Sequence, residues 1–239
     1  MISKDEQKIL AARTAIDTLI QEGLIFSGMK IGLGTGSTAI PAVKRLFERI
    51  TDGTIKDIKA VVTSFQTENC CKDFGIPVYS LNDRCIDGEL DLTIDGADEI
   101  DGDNRLIKGG GAALLLEKIV AYSSKRFAIV ADESKDVQNM GTKFPLPVEI
   151  IGGSRRSVEK SLAKMGATCV LREGVRKCGP VITDNGNQIL DCTWASPVDP
   201  CEMEKNISLL PGVVEVGFFT KIRPIVFIAR GDGSVTIRR

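Results

Sequence analysis

The sequence predicts an α/β protein with a parallel sheet covered by helices on both faces, followed by a smaller α+β region. Three observations carry this. Strand-length apolar runs alternate with helix-patterned segments as far as Asp132, which is how a parallel sheet reads in sequence. Near residue 144 the rhythm changes to the order of a split β-α-β arrangement. The final segment, "RPIVFIARGDGSVTIRR", reads as two closing strands that can rejoin the first sheet.

In chain order, residues 3–22 read as a helix with Ile9, Leu10, Ala12, Ile16, Leu19 and Ile20 at helical spacing. Ser3 and Glu6 have the spacing of a capping box. "MKIGLG" reads as a buried strand, "STAIPAVKRLFERI" as a helix, and "IKAVVTS" as the second strand. "FQTENCCKDFG" is a helix stopped by Gly75, and "IPVYSL" is the third strand. "LDLTID", "GAALLLEKIVAYSS" and "RFAIVAD" follow as strand, helix and strand. Beyond them, "FPLPVEII" is a strand, "SRRSVEKSLAKMG" a helix and "TCVLR" a strand. "VITDNGNQILDCTW" is a hairpin around Asn185-Gly186. "DPCEMEKNISLLPG" is a helix and "VVEVGFF" a strand.

The 239 residues are 43% hydrophobic and 26% charged with a net charge of -1. That balance points to neither nucleic acid nor an anionic membrane as partner. Apolar runs such as "AALLLEKIVA" are broken by charge, so no membrane-spanning helix is expected. "MISKDEQKIL" has no signal-peptide core, and seven scattered cysteines lack any C-x-x-C. Both fit free thiols and a cytoplasmic location. Histidine is absent. Any proton chemistry near neutral pH must therefore use carboxylates, lysine, tyrosine or cysteine.

Ligands of open parallel sheets gather at the carboxyl ends of the strands. Four such ends carry chemistry here: "GLGTGST", "TSFQT", "DGADE" and "ADESK". The first is not a Walker loop, because no Gly-Lys-Ser/Thr follows. As a dinucleotide fingerprint it has Ser37 in place of the third glycine, and the second strand ends in Thr63-Ser64 rather than an acid. Its hydroxyls (Thr35, Ser37, Thr38) and its backbone amides, Gly36 included, suit a phosphate monoester at a helix start.

The stretch "DLTIDGADEIDGDNRLIKGGG" places six acids between Asp91 and Asp103. A calcium loop beginning at Asp101 fails, since Arg105, Leu106 and Ala112 stand at its fifth, sixth and twelfth positions. Glu99, Asp101 and Asp103 read as solvated loop charges. Asp95 and Asp98 differ, for they stand where an apolar strand runs out, separated by the small Gly96 and Ala97. Paired carboxylates push each other's pKa apart, giving one donor and one acceptor, although Mg²⁺ binding stays open. Lys108 and the run Gly109, Gly110, Gly111 suggest a charge and a backbone wrapped closely against a ligand. Glu117 has Ala113, Leu114, Val120 and Ala121 one turn away on either side. Desolvation on such a face is expected to move a carboxylate toward the range of a general base. Lys118, on the same helix, can snorkel to water.

In their order and spacing, "GLGTGSTA", "TIDGADEID", "LIKGGGAALLLEKIVA", "ADESK", "FPLPVEI", "VITDNGN" and "LPGVVEVGFF" resemble the type A ribose-5-phosphate isomerase family across essentially the whole chain. The resemblance implies a Rossmann-like sheet domain (1–140 and 219–239) with a smaller α+β, ferredoxin-like domain (141–218) inserted before the last strands. It implies aldose–ketose isomerisation of a sugar phosphate in the pentose phosphate pathway, without metal or coenzyme, by a homodimer or homotetramer. Carried over by position, Glu117 is the base, Asp95 assists ring opening and hydroxyl proton transfer, and Lys108 and Asp98 orient oxygens and hold enediolate charge. Thr35, Gly36, Ser37, Thr38, Asp95, Gly96, Ala97, Asp98, Lys108, Gly109, Gly110, Gly111 and Lys135 contact substrate. Lys8 matches a phosphate contact more weakly. The segment "REGVRKCGPVITDNGN" is longer than in some relatives and reads as an insertion outside the catalytic motifs. The rivals are a non-enzymatic sugar-phosphate-binding effector domain, which would need a DNA-binding module, and a nicotinamide oxidoreductase, which the loop defects oppose.

Overall fold

The computed structural model describes residues 1–239. In chain order the elements are α1 (Lys4–Gln21), β1 (Lys30–Leu33), α2 (Ala39–Thr51), β2 (Lys59–Val62), α3 (Phe65–Asp73), β3 (Leu92–Asp95), β4 (Glu99–Ile100) and β5 (Leu106–Ile107). They continue with α4 (Leu114–Tyr122), β6 (Phe127–Asp132), β7 (Leu146–Ile150), α5 (Arg155–Lys164), β8 (Ala167–Leu171) and β9 (Gln188–Trp194). The last are α6 (Pro200–Ser208), β10 (Val213–Val216), β11 (Phe218–Phe219), β12 (Ile225–Ala229) and β13 (Val235–Arg238). Contacts divide the chain into two compact units. One is Met1–Gly96, Leu116–Lys135 and Arg223–Arg239; the other is Ala97–Leu115 and Asp136–Ile222. This division differs from the sequence expectation mainly in grouping 97–115 with the smaller unit.

The first unit holds a six-stranded sheet in the order β13-β12-β6-β3-β1-β2, parallel except for β13. Strand order reverses between β1 and β3, the switch point outside which open sheets bind ligands. β3 and β6 are buried along their whole length, as strands covered on both faces must be. α1 packs on α2, β6 and β12, with Ala11, Ala12 and Ala15 fully buried so that its backbone approaches the sheet closely. Its start is the expected capping box of Ser3 and Glu6. Ile9 is a correction: it is 48% exposed, because the buried stripe runs through Ala11 and Ala15 instead. "IPVYSL" is another. It forms only an isolated bridge, Ala60 to Val78. Pro77 has no amide to extend a ladder, and the Ser80 amide turns onto Asp83 Oδ2 at 2.7 Å.

The second unit contains β7-α5-β8-β9-α6-β10 around an antiparallel sheet ordered β10-β7-β9-β8, the split arrangement expected of the smaller domain. The expected first hairpin arm at Val181–Thr183 is not a strand. β9 pairs with β8 instead, and the Asn-Gly turn is closed by Thr183 N donating to Asn187 O at 2.9 Å. "VVEVGFF" splits at Gly217: β10 joins β7, whereas β11 joins β5 in a small sheet ordered β11-β5-β4. Gly217 donates to Pro147 O and accepts from Lys108 N, changing partners between the two sheets.

That small sheet corrects the reading of the acidic stretch. Glu99 is fully buried, and its carboxylate accepts the amides of Gly141 (2.5 Å), Lys143 (2.6 Å) and Phe144 (2.7 Å). Asp101 is buried too and accepts the Arg105 amide and guanidinium. Only Asp103 is the exposed loop charge expected, and it pairs with Arg105 at 3.3 Å.

Candidate active site

In the first unit, β1 ends at Leu33 and delivers the glycine loop beside the end of β3. Asp95 is fully buried, and its Oδ1 accepts the amides of Thr35 (3.1 Å) and Gly96 (2.7 Å). The Gly36 amide is taken by Gln66 Oε1 at 3.1 Å. The Thr35 hydroxyl lies 2.7 Å from both Thr63 Oγ1 and Ser64 Oγ, and Thr67 Oγ1 donates to Gly34 O at 2.7 Å. This refines the expected anion loop. Its first two amides and its first hydroxyl are committed to protein partners, which fix the loop's shape. Ser37 is exposed, and Thr38 caps α2 without a side-chain cap bond. The hydroxyl network of Thr63, Ser64 and Thr67 was missed as a support; its signal was a run of small hydroxyls at the end of β2, next in the sheet to β1.

Glu117 lies in the first turn of α4 and is 4% exposed, with Val120 and Ala121 of the same helix also buried. The enclosed glutamate expected from the pattern is therefore present. Lys118 does not snorkel: it is 5% exposed, with Nζ 5.9 Å from the centre of the Tyr122 ring. Lys135 ends a short 3-10 turn, Glu133–Lys135, after β6 and is half-buried. The turn is shaped by Asp132 Oδ1, which accepts the amide and hydroxyl of Ser134. Lys8 is held by Asp5, Nζ to Oδ1 2.9 Å.

In the second unit, Asp98 donates its amide to Ile107 O, so that the "GADE" turn is closed by β5. Its Oδ2 accepts the Gly110 amide at 2.7 Å. Asp98 and the glycine wrap are thus brought together. Ala97 stands beside it, half-buried. Lys108 is 2% exposed, with Nζ 5.6 Å from the centre of the Phe219 ring, and its amide donates to Gly217 O at 2.9 Å. Gly109 is buried, whereas Gly110 and Gly111 are exposed. Arg172, the first residue after β8, reaches back to this wrap and donates to Gly109 O at 2.8 Å and Gly110 O at 3.2 Å. Sequence reasoning missed it, because a separation of sixty-odd positions leaves no periodic signal.

The chemistry these groups supply is that of carboxylates and ammoniums: Asp95 and Asp98 accept backbone amides, and Glu117 and Lys108 are buried. A carboxylate at the start of a helix can accept and return a proton, and an enclosed ammonium can hold a developing oxyanion.

Known proteins match this chain along nearly its whole length. Residues 59–233 match the family model of ribose 5-phosphate isomerase A (phosphoriboisomerase A). A protein named ribose-5-phosphate isomerase A from Treponema denticola is 58% identical over 92% of this chain and 93% of its own length. One of the same name from Treponema pallidum is 53% identical over 97% of this chain and 92% of its own. The solved structure of ribose 5-phosphate isomerase A from Methanocaldococcus jannaschii superposes with a TM-score of 0.89 at 39% identity, covering 99% of this chain and 100% of that one. A D-ribose-5-phosphate isomerase in complex with phospho-erythronic acid superposes with a TM-score of 0.91 at 38% identity, again covering 99% and 100%.

Proposed function

The chain belongs to the ribose 5-phosphate isomerase A family, and from that premise we propose how its own residues carry the family's reaction. The protein interconverts D-ribose 5-phosphate and D-ribulose 5-phosphate, an aldose–ketose isomerisation of the pentose phosphate pathway. In the forward direction, the open-chain aldehyde loses its C2 proton to the Glu117 carboxylate. The C2–H electron pair becomes the C1=C2 bond, and the aldehyde oxygen takes the negative charge of a cis-enediolate. Protonated Glu117 then returns the proton to C1, while the O2 hydroxyl gives up its proton and C2 becomes the ketone. Asp95 assists ring opening and moves the hydroxyl proton between O2 and O1. Lys108 and Asp98 orient the sugar oxygens, and Lys108 stabilises the enediolate charge.

The observation that carries this reading is Glu117, 4% exposed among apolar residues in a chain without histidine. It is the enclosed carboxylate that a histidine-free proton shuttle needs. The phospho-erythronic acid held by one matched structure supports it as well. A phosphorylated sugar acid offers a planar, anionic carboxylate, the shape and charge of an enediolate. Ser37 and Thr38, with Gly36, Lys135 and the wrap of Gly109 to Gly111, contact the sugar phosphate, whereas Thr35 acts by holding the loop's shape against Asp95. The protein works as a homodimer or homotetramer in the cytoplasm, a reading supported by the family resemblance and by seven free thiols. No helix is long and apolar enough to cross a membrane.

Proton NMR of ribose 5-phosphate with the protein in D₂O, with excess EDTA and no coenzyme, tests the mechanism. Ribulose 5-phosphate forming with deuterium entering at carbon is the expected result. Turnover lost in EDTA and restored by Mg²⁺ would instead make Asp95 and Asp98 metal ligands.

A further inference from the structure

The segment that begins "REGVRKCG" was set outside the catalytic motifs by sequence. We propose that its first residue, Arg172, is a positioning residue for the isomerisation: it holds the Gly109–Gly110 peptide so that this peptide fixes the Asp98 carboxylate. The inference rests on the reading that Asp98 orients the sugar oxygens.

The geometry is continuous. Arg172 leaves β8 anchored by its own backbone, its amide on Ile189 O and its carbonyl accepting Val181 N, both at 2.9 Å. Its guanidinium grips Asp191 in two bonds, Nε to Oδ2 at 2.9 Å and Nη2 to Oδ1 at 2.5 Å. Nη1 is left to donate to Gly109 O (2.8 Å) and Gly110 O (3.2 Å). Asp191 lies across from Val170 in the β8–β9 ladder, and Arg172 directly follows the end of β8. Arg172 is 14% exposed and Asp191 21%, which limits screening by water.

The carbonyl of Gly109 and the amide of Gly110 are the two ends of one rigid planar group. Arg172 therefore holds the oxygen end of the same peptide whose N–H donates to Asp98 Oδ2 at 2.7 Å. A cation on the carbonyl polarises the peptide and strengthens its N–H as a donor. The arrangement admits only glycine. Gly109 has φ +106°, and a Cβ there would meet Leu114 Cβ at 3.0 Å. A Cβ on Gly110 would lie 2.5 Å from Asp98 Oδ1. Lys108, one residue earlier, is tied to Gly217, so the wrap is held on both sides of the ammonium-bearing residue. A lysine at 172 could supply charge but not the fork that binds Asp191 and two carbonyls together.

A double-mutant cycle of Arg172→Gln with Asp98→Asn, followed by kcat, KM and thermal midpoint, tests this. Arg172→Gln is expected to lower kcat about tenfold, on the scale of one charge-assisted hydrogen bond, with little change in KM. In the Asp98→Asn background the same substitution should cost far less. An equal loss in both backgrounds, or a fall in thermal midpoint with kcat unchanged, would mean that Arg172 only supports the fold and would overturn the inference. Should Arg172→Gln fail to fold, Asp191→Asn, which loosens the fork but keeps the cation, replaces it in the cycle with the same expectations. Full turnover in Asp98→Asn alone would instead refute the role given to Asp98, a distinct failure.

Discussion

The Thr35 amide donates to Asp95 Oδ1 at 3.1 Å, which ties the glycine loop after β1 to the carboxylate that ends β3. Between them stands Gly34, where an added Cβ would fall 1.9 Å from Asp95 Oδ1. Gly34→Ala must therefore displace the Asp95 side chain. A catalytic group misplaced by about 1 Å can cost on the order of 10²-fold in rate. Steady-state kinetics should show a loss of that size in kcat; an alanine variant with unimpaired turnover would remove Asp95 from the chemistry.

Glu117→Gln keeps the size of the side chain and removes its basicity. Turnover should fall to background, whereas calorimetry should still detect ribose 5-phosphate binding. Retained isomerase activity would contradict the base assignment directly.

Lys108→Ala removes the enclosed ammonium beside Phe219. The expected loss in kcat is about 10²–10³-fold, the scale of one oxyanion-stabilising donor. A change confined to KM would make Lys108 a binding residue only.

Glu99→Gln tests the fold rather than the chemistry. One carboxylate oxygen that now accepts an amide would become an NH₂ group facing a donor. A loss of about 1–3 kcal/mol is expected. Thermal unfolding should show a midpoint lower by several degrees, and an unchanged midpoint would contradict the buried network.

Glu149 supplies a pH prediction. Burial in β7, and then the charge of Glu215, raise its pKa above the usual 4.5, although Asn187 and Thr183 donate to it. The folded state therefore holds this proton more tightly than the unfolded chain does. The resulting stability is present at acid pH and is lost as pH rises through the folded-state pKa. Relative to wild type, Glu149→Gln should gain thermal stability between acid and neutral pH. A difference that did not vary with pH would mean that Glu149 titrates normally.

Much of this protein was legible in the sequence because its signals are local. The capping box at Ser3, the strand–helix alternation, the Asn-Gly turn and the apolar neighbours of Glu117 are all set by residues within a turn or two of each other. Periodicity reports which way a side chain faces, and one turn of helix is enough to read it. The errors share the opposite property. Ile9 was read one position out of phase with the stripe that the sheet selects. "IPVYSL" has strand composition, but Pro77 and the Ser80 turn leave it a single bridge.

The sequence by itself determined the α/β class, the family resemblance and the residue types available for proton transfer, since these follow from composition, spacing and motif order. Tertiary structure alone decided what each polar group does. Glu99 and Asp101 looked like solvent-facing charges until the chain brought the amides of residues 141–144 and the Arg105 guanidinium to them. Arg172 looked like part of a surface insertion until β8 and β9 paired and turned it onto Gly109. A charge in water and a buried charge with partners have the same local sequence. The difference lies in whether distant donors arrive to replace the water, and that is fixed by chain topology.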